Sequence, residues 1–184
     1  MKRIPFFIAA VLCALFSTYA FACQIEAEAS CQNEEMAGRK LLGANLSKAN
    51  LSKANLSKAN LYKADAHGSN MSGANLHYSI LYYSNLQGAN LSNANLNKAA
   101  GYSADLSHAD LRNADMSGAN FHKADLSGAD MSGANLTDAN LADATLVGAI
   151  FCNTTMPDGT LKNSGCNSTL EIASEVELKA SLQQ

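Results

Sequence analysis

The chain has 184 residues, of which 47% are hydrophobic and 16% charged, with a formal net charge of −3. That is enough apolar material for one ordinary domain, and the low charged fraction argues against wholesale disorder. The hydrophobic residues are mostly Ala and Leu, with no Trp, and the sequence holds only two Pro.

Residues 1–22 read as a targeting segment and not as part of the fold. Lys2 and Arg3 precede the apolar run Ile4–Phe16, and Ala20, Phe21 and Ala22 place small residues at the two positions a signal peptidase reads. The expected mature chain starts at Cys23 and is exported, periplasmic or secreted. A lipid anchor on Cys23 is the second reading, but lipoprotein signals carry an aliphatic residue where Ala20 stands and a small one where Phe21 stands. The apolar run is short for a membrane span and no second one follows, so no span is expected in the mature chain. Removing residues 1–22 takes away Lys2 and Arg3, leaving 11 basic against 16 acidic residues, a net −5. It also leaves four cysteines, Cys23, Cys31, Cys152 and Cys166, an even number suited to disulfides in an oxidising compartment. The simplest pairing is within each end, Cys23 with Cys31 and Cys152 with Cys166.

Residues 23–40, acidic and helix-compatible, read as an N-terminal cap. From Leu41 to Phe151 a large residue then falls on every fifth position, Leu in most cases, Met at 71, 116 and 131, Phe at 121 and 151, with Ala66 and Gly101 as exceptions. From Ala44 to Ala149 the residue two before each large one is Ala, replaced by Ser only at 69, 79 and 84. A step of five spreads residues around a helix, and on a strand it sends them to alternate faces. A chain that bends once per repeat can turn every large residue and every Ala inward, and stacked turns then bury one another. The period therefore predicts a solenoid.

The runs ANLSKANLSKANL and ADLSHADLRNADMSGANFHKADLSGADMSGANL resemble the pentapeptide-repeat family, whose motif is A(D/N)LXX. The resemblance covers residues 41–156 and implies an all-β fold: a right-handed quadrilateral parallel β-helix with 20 residues per coil, here just under six coils. At that period Gly101 lies between Leu81 and Phe121, so the Phe ring is expected to fill part of the hole Gly101 leaves, while Ala66 predicts looser packing. Residues 157–184 are expected to form a capping loop and tail. Pro157, Asp158 and Gly159 signal a turn, and Cys152 with Cys166 could staple the loop. The tail 167–184 fits either a short helix opened by Ser168 and Glu171 or an alternating strand.

With Ala and Leu inside, the outer surface is written by Asn/Asp and the two variable residues. No nucleophile-elbow motif is present, and His67, His77, His108 and His122 do not share a column. His67 and His108 lie two coils apart on one side, about 10 Å by the strand spacing, which is too far for one metal. No enzyme activity, metal or cofactor is expected. Tyr62, Tyr82 and Tyr102 recur every 20 residues with His122 next in the column, and Tyr78, Ile80 and Tyr83 lie beside them. They predict an external aromatic ladder. Such a ladder could dock a partner, stack on planar ligands such as sugars, receive the tail, or only stabilise neighbouring coils. Charge is also polarised: residues 41–100 hold five Lys and one Asp, net +4, and residues 101–150 hold seven Asp with Arg112 and Lys123, net −5. Lys48, Lys53, Lys58 and Lys63 ring one coil, a poor track for a nucleic-acid backbone, so no nucleic acid is expected.

The functional expectation is a non-enzymatic exported rod, structural or protein-binding, with an unidentified protein partner or self-association. Its alternative is binding of carbohydrate or cell-envelope polymer through the tyrosines. Some pentapeptide-repeat proteins mimic DNA and bind topoisomerases, but that role needs extended negative surface and cytoplasmic access, which a basic half and an export signal oppose.

Overall fold

The computed structural model describes residues 25–166. The expected signal segment 1–22, Cys23 and the tail 167–184 lie outside the described residues.

A parallel bridge joins residue n to residue n+20 at every fifth position, from Ser30↔Asn50 to Asn135↔Thr155. Four pentapeptides therefore complete one coil, and the solenoid is four-sided. Each pentapeptide is built the same way. In the unit from Leu46 to Asn50, the Ala49 N–H donates to Leu46 O at 3.0 Å and closes a tight turn. The Leu46 and Lys48 N–H groups donate forward to Asp65 O (2.6 Å) and His67 O (2.9 Å), and the Asn50 N–H donates back to Ala29 O (2.8 Å). A turn takes most of each side, so neighbouring coils share single bridge residues instead of regular strands.

The third residue of each turn carries a positive φ, for example 56° at Lys48, 56° at Tyr78 and 59° at Tyr83. The residue before it does not, which defines a type II turn. This is the left-handed region that L-residues enter at a cost, and the position is filled by Gly, Asn, Lys, Asp, Glu, Ser, His or Tyr, never by Val, Ile or Thr. In the sequence alone this position looks freely variable. Its backbone requirement is what the residue choice obeys.

The inward assignment holds. Leu46, Leu51, Leu56, Leu76, Leu81, Leu91, Leu96 and Leu106 are 0% exposed, with the intervening Ala residues buried beside them. A Cβ built on Gly101 would overlap Cε1 and Cδ1 of Phe121, so the Phe ring does occupy the space below. Two of the three Ser that replace Ala are less well accommodated. The Ser69 and Ser79 hydroxyls are buried without a hydrogen-bond partner, whereas Ser84 Oγ donates to Leu81 O at 2.8 Å.

The N-terminal expectation needs correction. From residue 26 the chain already follows the coil: Ser30, Glu35 and Lys40 bridge to Asn50, Asn55 and Asn60, and Cys31 and Met36 take the inward position at 0% and 1% exposure. The described part of the segment read as a helix-compatible cap is solenoid, which lengthens the rod by three pentapeptides beyond the just-under-six coils expected. Among the described residues this coil has a neighbour on one side only, and Glu34 and Arg39 stand where Ala is found elsewhere. Cys31 is disulfide-bonded.

At the other end the coil stops by reversing. Strand β1 (Thr154–Thr155) pairs antiparallel with β2 (Leu161–Lys162), around the turn at Pro157–Gly159. The expected Cys152–Cys166 disulfide is present, with Cα atoms 4.7 Å apart, and Lys162 Nζ lies 4.0 Å from the Phe151 ring centroid. Closing a loop of this size contributes about 3 kcal/mol in the chain-entropy model. The hairpin covers the 151–156 side and leaves Leu141 and Leu146 half-buried.

Candidate interaction surface

The four sides can be numbered by their inward residues: face I at 61, 81, 101 and 121; face II at 66, 86 and 106; face III at 71, 91 and 111; face IV at 76, 96 and 116. The Asn/Asp positions are the bridge residues that lead from one turn into the next, referred to as corners, and their side chains are already engaged. Asn45 Oδ1 accepts the Ser47 N–H at 3.1 Å, Asn50 Oδ1 the Ser52 N–H at 3.2 Å, and Asn60 Oδ1 the Tyr62 N–H at 3.0 Å. Such Asx turns fix the entry into the next turn. Some corners also bond along the rod, as Asn75 Nδ2 does to Asn55 Oδ1 (3.2 Å) and Asn85 Nδ2 to Asp65 Oδ1 (3.1 Å). By sequence alone Asn/Asp belong to the functional surface; the structure shows them binding the backbone of the next turn.

Between residues 45 and 140 the corner position departs from Asn or Asp at two places only, Ile80 and Ala100. These two bridge each other where face IV runs into face I. Neither can accept a backbone N–H with its side chain, so the turns that hold Tyr82 and Tyr102 lack the Asx contact made at Tyr62 and His122.

The aromatic residues gather around this pair. Tyr78, Tyr82 and Tyr83 are 47%, 37% and 49% exposed. The expected single column is in fact a two-column cluster. Tyr83 bridges Tyr62 (centroids 5.9 Å apart) and Tyr102 (5.6 Å), Tyr82 meets Tyr102 at 6.4 Å, and Tyr102 meets His122 at 5.5 Å. The three Tyr–Tyr pairs are edge-to-face, at 78–90° between ring planes. This is the arrangement the ring quadrupole favours. Tyr83 reaches between its neighbours because it occupies the positive-φ position, one residue beyond the Tyr62–Tyr82–Tyr102 column.

Several members went unread in the sequence. Ala100 was detectable as the corner exception directly above Ile80. Three lysines cap rings: Lys63 Nζ is 5.3 Å from the Tyr62 centroid, Lys98 Nζ 5.3 Å from Tyr78, and Lys123 Nζ 5.9 Å from Tyr102. Lys98 Nζ also donates to Tyr78 Oη at 3.1 Å, and the His77 ring packs on Tyr78 with centroids 4.3 Å apart. The cluster is therefore an apolar and aromatic patch with a cationic rim.

The remaining titratable groups make local pairs. His67 Nδ1 lies 2.8 Å from Asp65 Oδ1. Burial alone would raise the Asp65 carboxyl, but hydrogen bonds from His67 and Asn85 hold it below its usual range. Arg112 donates to Asp110 through Nε (2.8 Å) and Nη2 (2.6 Å), which lowers the Asp110 carboxyl and raises the guanidinium. Nδ1 of His77 and of His122 faces the carbonyl of Asn97 and of Ala142 respectively, and His108 lies under Gly128. Among the described residues, no three His, Cys, Asp or Glu are grouped to hold a metal ion, and no helix is long and apolar enough to cross a membrane.

A four-sided solenoid with an inward Ala–Leu ladder and Asx-bound corners is a repeat scaffold in class, and its outer surface is what it presents to other molecules. The family model for pentapeptide repeats matches in eight copies, over 40–77, 69–100, 79–118, 102–138 and 119–158, and the chain belongs to that family. No curated protein matches it. Among solved structures it is similar to HetL, a pentapeptide repeat protein involved in heterocyst differentiation regulation in the cyanobacterium Nostoc sp. strain PCC 7120. The identity is 27%, over 74% of this chain and 82% of HetL, with a TM-score of 0.50. A pentapeptide repeat protein of the Arabidopsis thaliana thylakoid lumen matches at 26% identity, over 72% of this chain and 71% of that one, with a TM-score of 0.34. A trypsin-treated form of QnrB1, a plasmid-mediated fluoroquinolone resistance protein, matches at 14% identity over 78% and 95%, also at 0.34.

Proposed function

We propose that this chain is a non-enzymatic, exported rod that binds a protein partner through the aromatic patch at the meeting of faces IV and I. One observation carries the reading. The corner rule that stabilises every coil from 45 to 140 lapses only at Ile80 and Ala100, which are stacked on each other, and the exposed tyrosines surround that lapse. Two corner hydrogen bonds are lost there and apolar surface is presented instead, which a purely structural strip has no need to do. Contiguous exposed apolar surface rich in Tyr is typical of the centre of protein interfaces. Export rests on Lys2, Arg3 and the apolar run that follows, and the Cys152–Cys166 disulfide suits an oxidising compartment.

Carbohydrate or cell-envelope polymer is the competing ligand for the same tyrosines. Sugar stacking uses flat, open ring faces, whereas these rings turn edges to one another and carry lysines over three of them. That favours protein. The test is a photoreactive residue at position 82 in the exporting cell, after fractionation has located the chain outside the cytoplasm. The expected result is a discrete protein adduct that Tyr102→Ser abolishes. Cytoplasmic retention, or binding on a glycan array without a protein adduct, would overturn the reading.

A further inference from the structure

The patch lies halfway along the rod, and the corner column through it has a symmetry of its own. In order along the axis it reads Lys40, Asn60, Ile80, Ala100, Asn120, Asn140, with each residue bridged to the next. The two apolar members are central, and an Asn stands on either side of them. At one end Lys40 is exposed, with exposed Arg39 beside it. At the other end Asn140 stands between Asp138 and Asp143, both exposed. Turning the rod end over end thus lays the column's apolar centre on itself and its cationic end, at Arg39 and Lys40, on its anionic end, at Asp138 and Asp143.

We propose that the partner is a second copy of this chain, bound side by side and antiparallel, with the two-fold axis passing between Ile80 and Ala100. The inference rests on reading the patch as a docking surface and names its occupant. In this arrangement face I meets face I and face IV meets face IV. Tyr82 lies on the partner's Tyr102, Tyr62 on the partner's His122, Tyr78 on the partner's Lys98, and Lys40 between the partner's Asp138 and Asp143. Each contact occurs twice, as an isologous interface requires, and the closed symmetry limits the assembly to a dimer. Two like-charge approaches remain, Lys63 towards the partner's Lys123 and Lys98 beside the partner's Lys98 near the axis. Each of these ammoniums already lies over a tyrosine ring of its own chain, 5.3 to 5.9 Å from the centroid. The axial charge polarity, net +2 over 26–100 and −5 over 101–150, opposes a parallel pairing and supports the antiparallel one.

Sedimentation equilibrium of the full chain tests this. The expected species is a dimer, and Tyr82→Ser with Tyr102→Ser should weaken it at least ~30-fold, the scale of an interface hot spot. Lys40→Asp alone, and Asp138→Lys with Asp143→Lys, should each weaken it about tenfold, and the triple variant should recover most of that loss, since the reversed charges face each other again. A dimer that the triple variant fails to restore would overturn the antiparallel register. A chain that stays monomeric while position 82 crosslinks to a different protein in cells would overturn self-association but leave the docking surface intact. Absence of both dimer and adduct would remove the docking reading itself.

Discussion

The coil from Gly43 to Lys63 and the stretch from Tyr78 to Tyr102 share a fold and differ in what their residues are spent on. In the first, Leu46, Leu51, Leu56 and Leu61 fill the interior, and Asn45, Asn50, Asn55 and Asn60 each bind the backbone of the next turn. In the second, the core holds Gly101 with the Phe121 ring in its place and a buried Ser79 hydroxyl without a partner, and two successive corners lack the Asx contact. All of these departures accompany the exposed tyrosines. The regular coil illustrates what stability alone selects, and the irregular one shows where another requirement overrode it.

Substitutions can separate the two. The largest effect is expected where the shared core is broken: Leu91→Asp puts a carboxylate at a 0% exposed position and should destabilise by at least ~4 kcal/mol, unfolding adjacent coils together. Unchanged thermal melting would refute the inward assignment. Next is the irregular core. Gly101→Leu drives a side chain into Phe121 and should cost about 1–3 kcal/mol, while Gly101→Leu with Phe121→Leu returns that column to the regular pattern and should recover most of the loss. Chemical denaturation of the three variants checks this, and independent, additive effects would contradict the coupling. In the regular coil, Asn55→Ala removes the acceptor of the Ser57 N–H (3.1 Å) and should cost about 1 kcal/mol by the same measurement.

The regular core was legible because a repeated inward Leu leaves a period no helix or strand can bury, and the pairing of Gly101 with Phe121 followed from placing n beneath n+20. The disulfide was legible because Cys152 and Cys166 bracket a turn signal. Other features were hidden for physical reasons. The first coil is hard to see in the sequence because its inward residues, Cys31 and Met36, are accompanied by Glu34 and Arg39 where the other coils carry Ala or Ser. The corner Asn and Asp look like surface residues in a sequence, since an Asx turn shows only once the backbone of the next residue is placed. The tyrosine ladder was read as one column because the positive φ at Tyr83, which carries that residue into contact with Tyr62 and Tyr102, has no signature of its own.

A smaller effect is expected in acid. Hydrogen bonds hold Asp65, Asp110 and Asp158 below the ordinary aspartate value of 3.8. Groups whose folded pKa is depressed contribute stability that is fully present above that value and is lost as pH falls through their folded pKa values. Melting should therefore be insensitive to these groups at about pH 5–7 and decline below about 3.8, less so in Asp110→Asn. An equal decline in that variant would show that Asp110 takes no part.

The claim that the corner rule was given up at Ile80 and Ala100 for the sake of docking is tested most directly by restoring it. Ile80→Asn with Ala100→Asn reinstates two Asx acceptors, and melting and association can be measured on the same sample. The account predicts a melting temperature equal to or above that of the parent, with self-association and crosslinking at position 82 lost. A lower melting temperature with association intact would contradict it, and would make the tyrosine patch part of the scaffold instead of its contact surface.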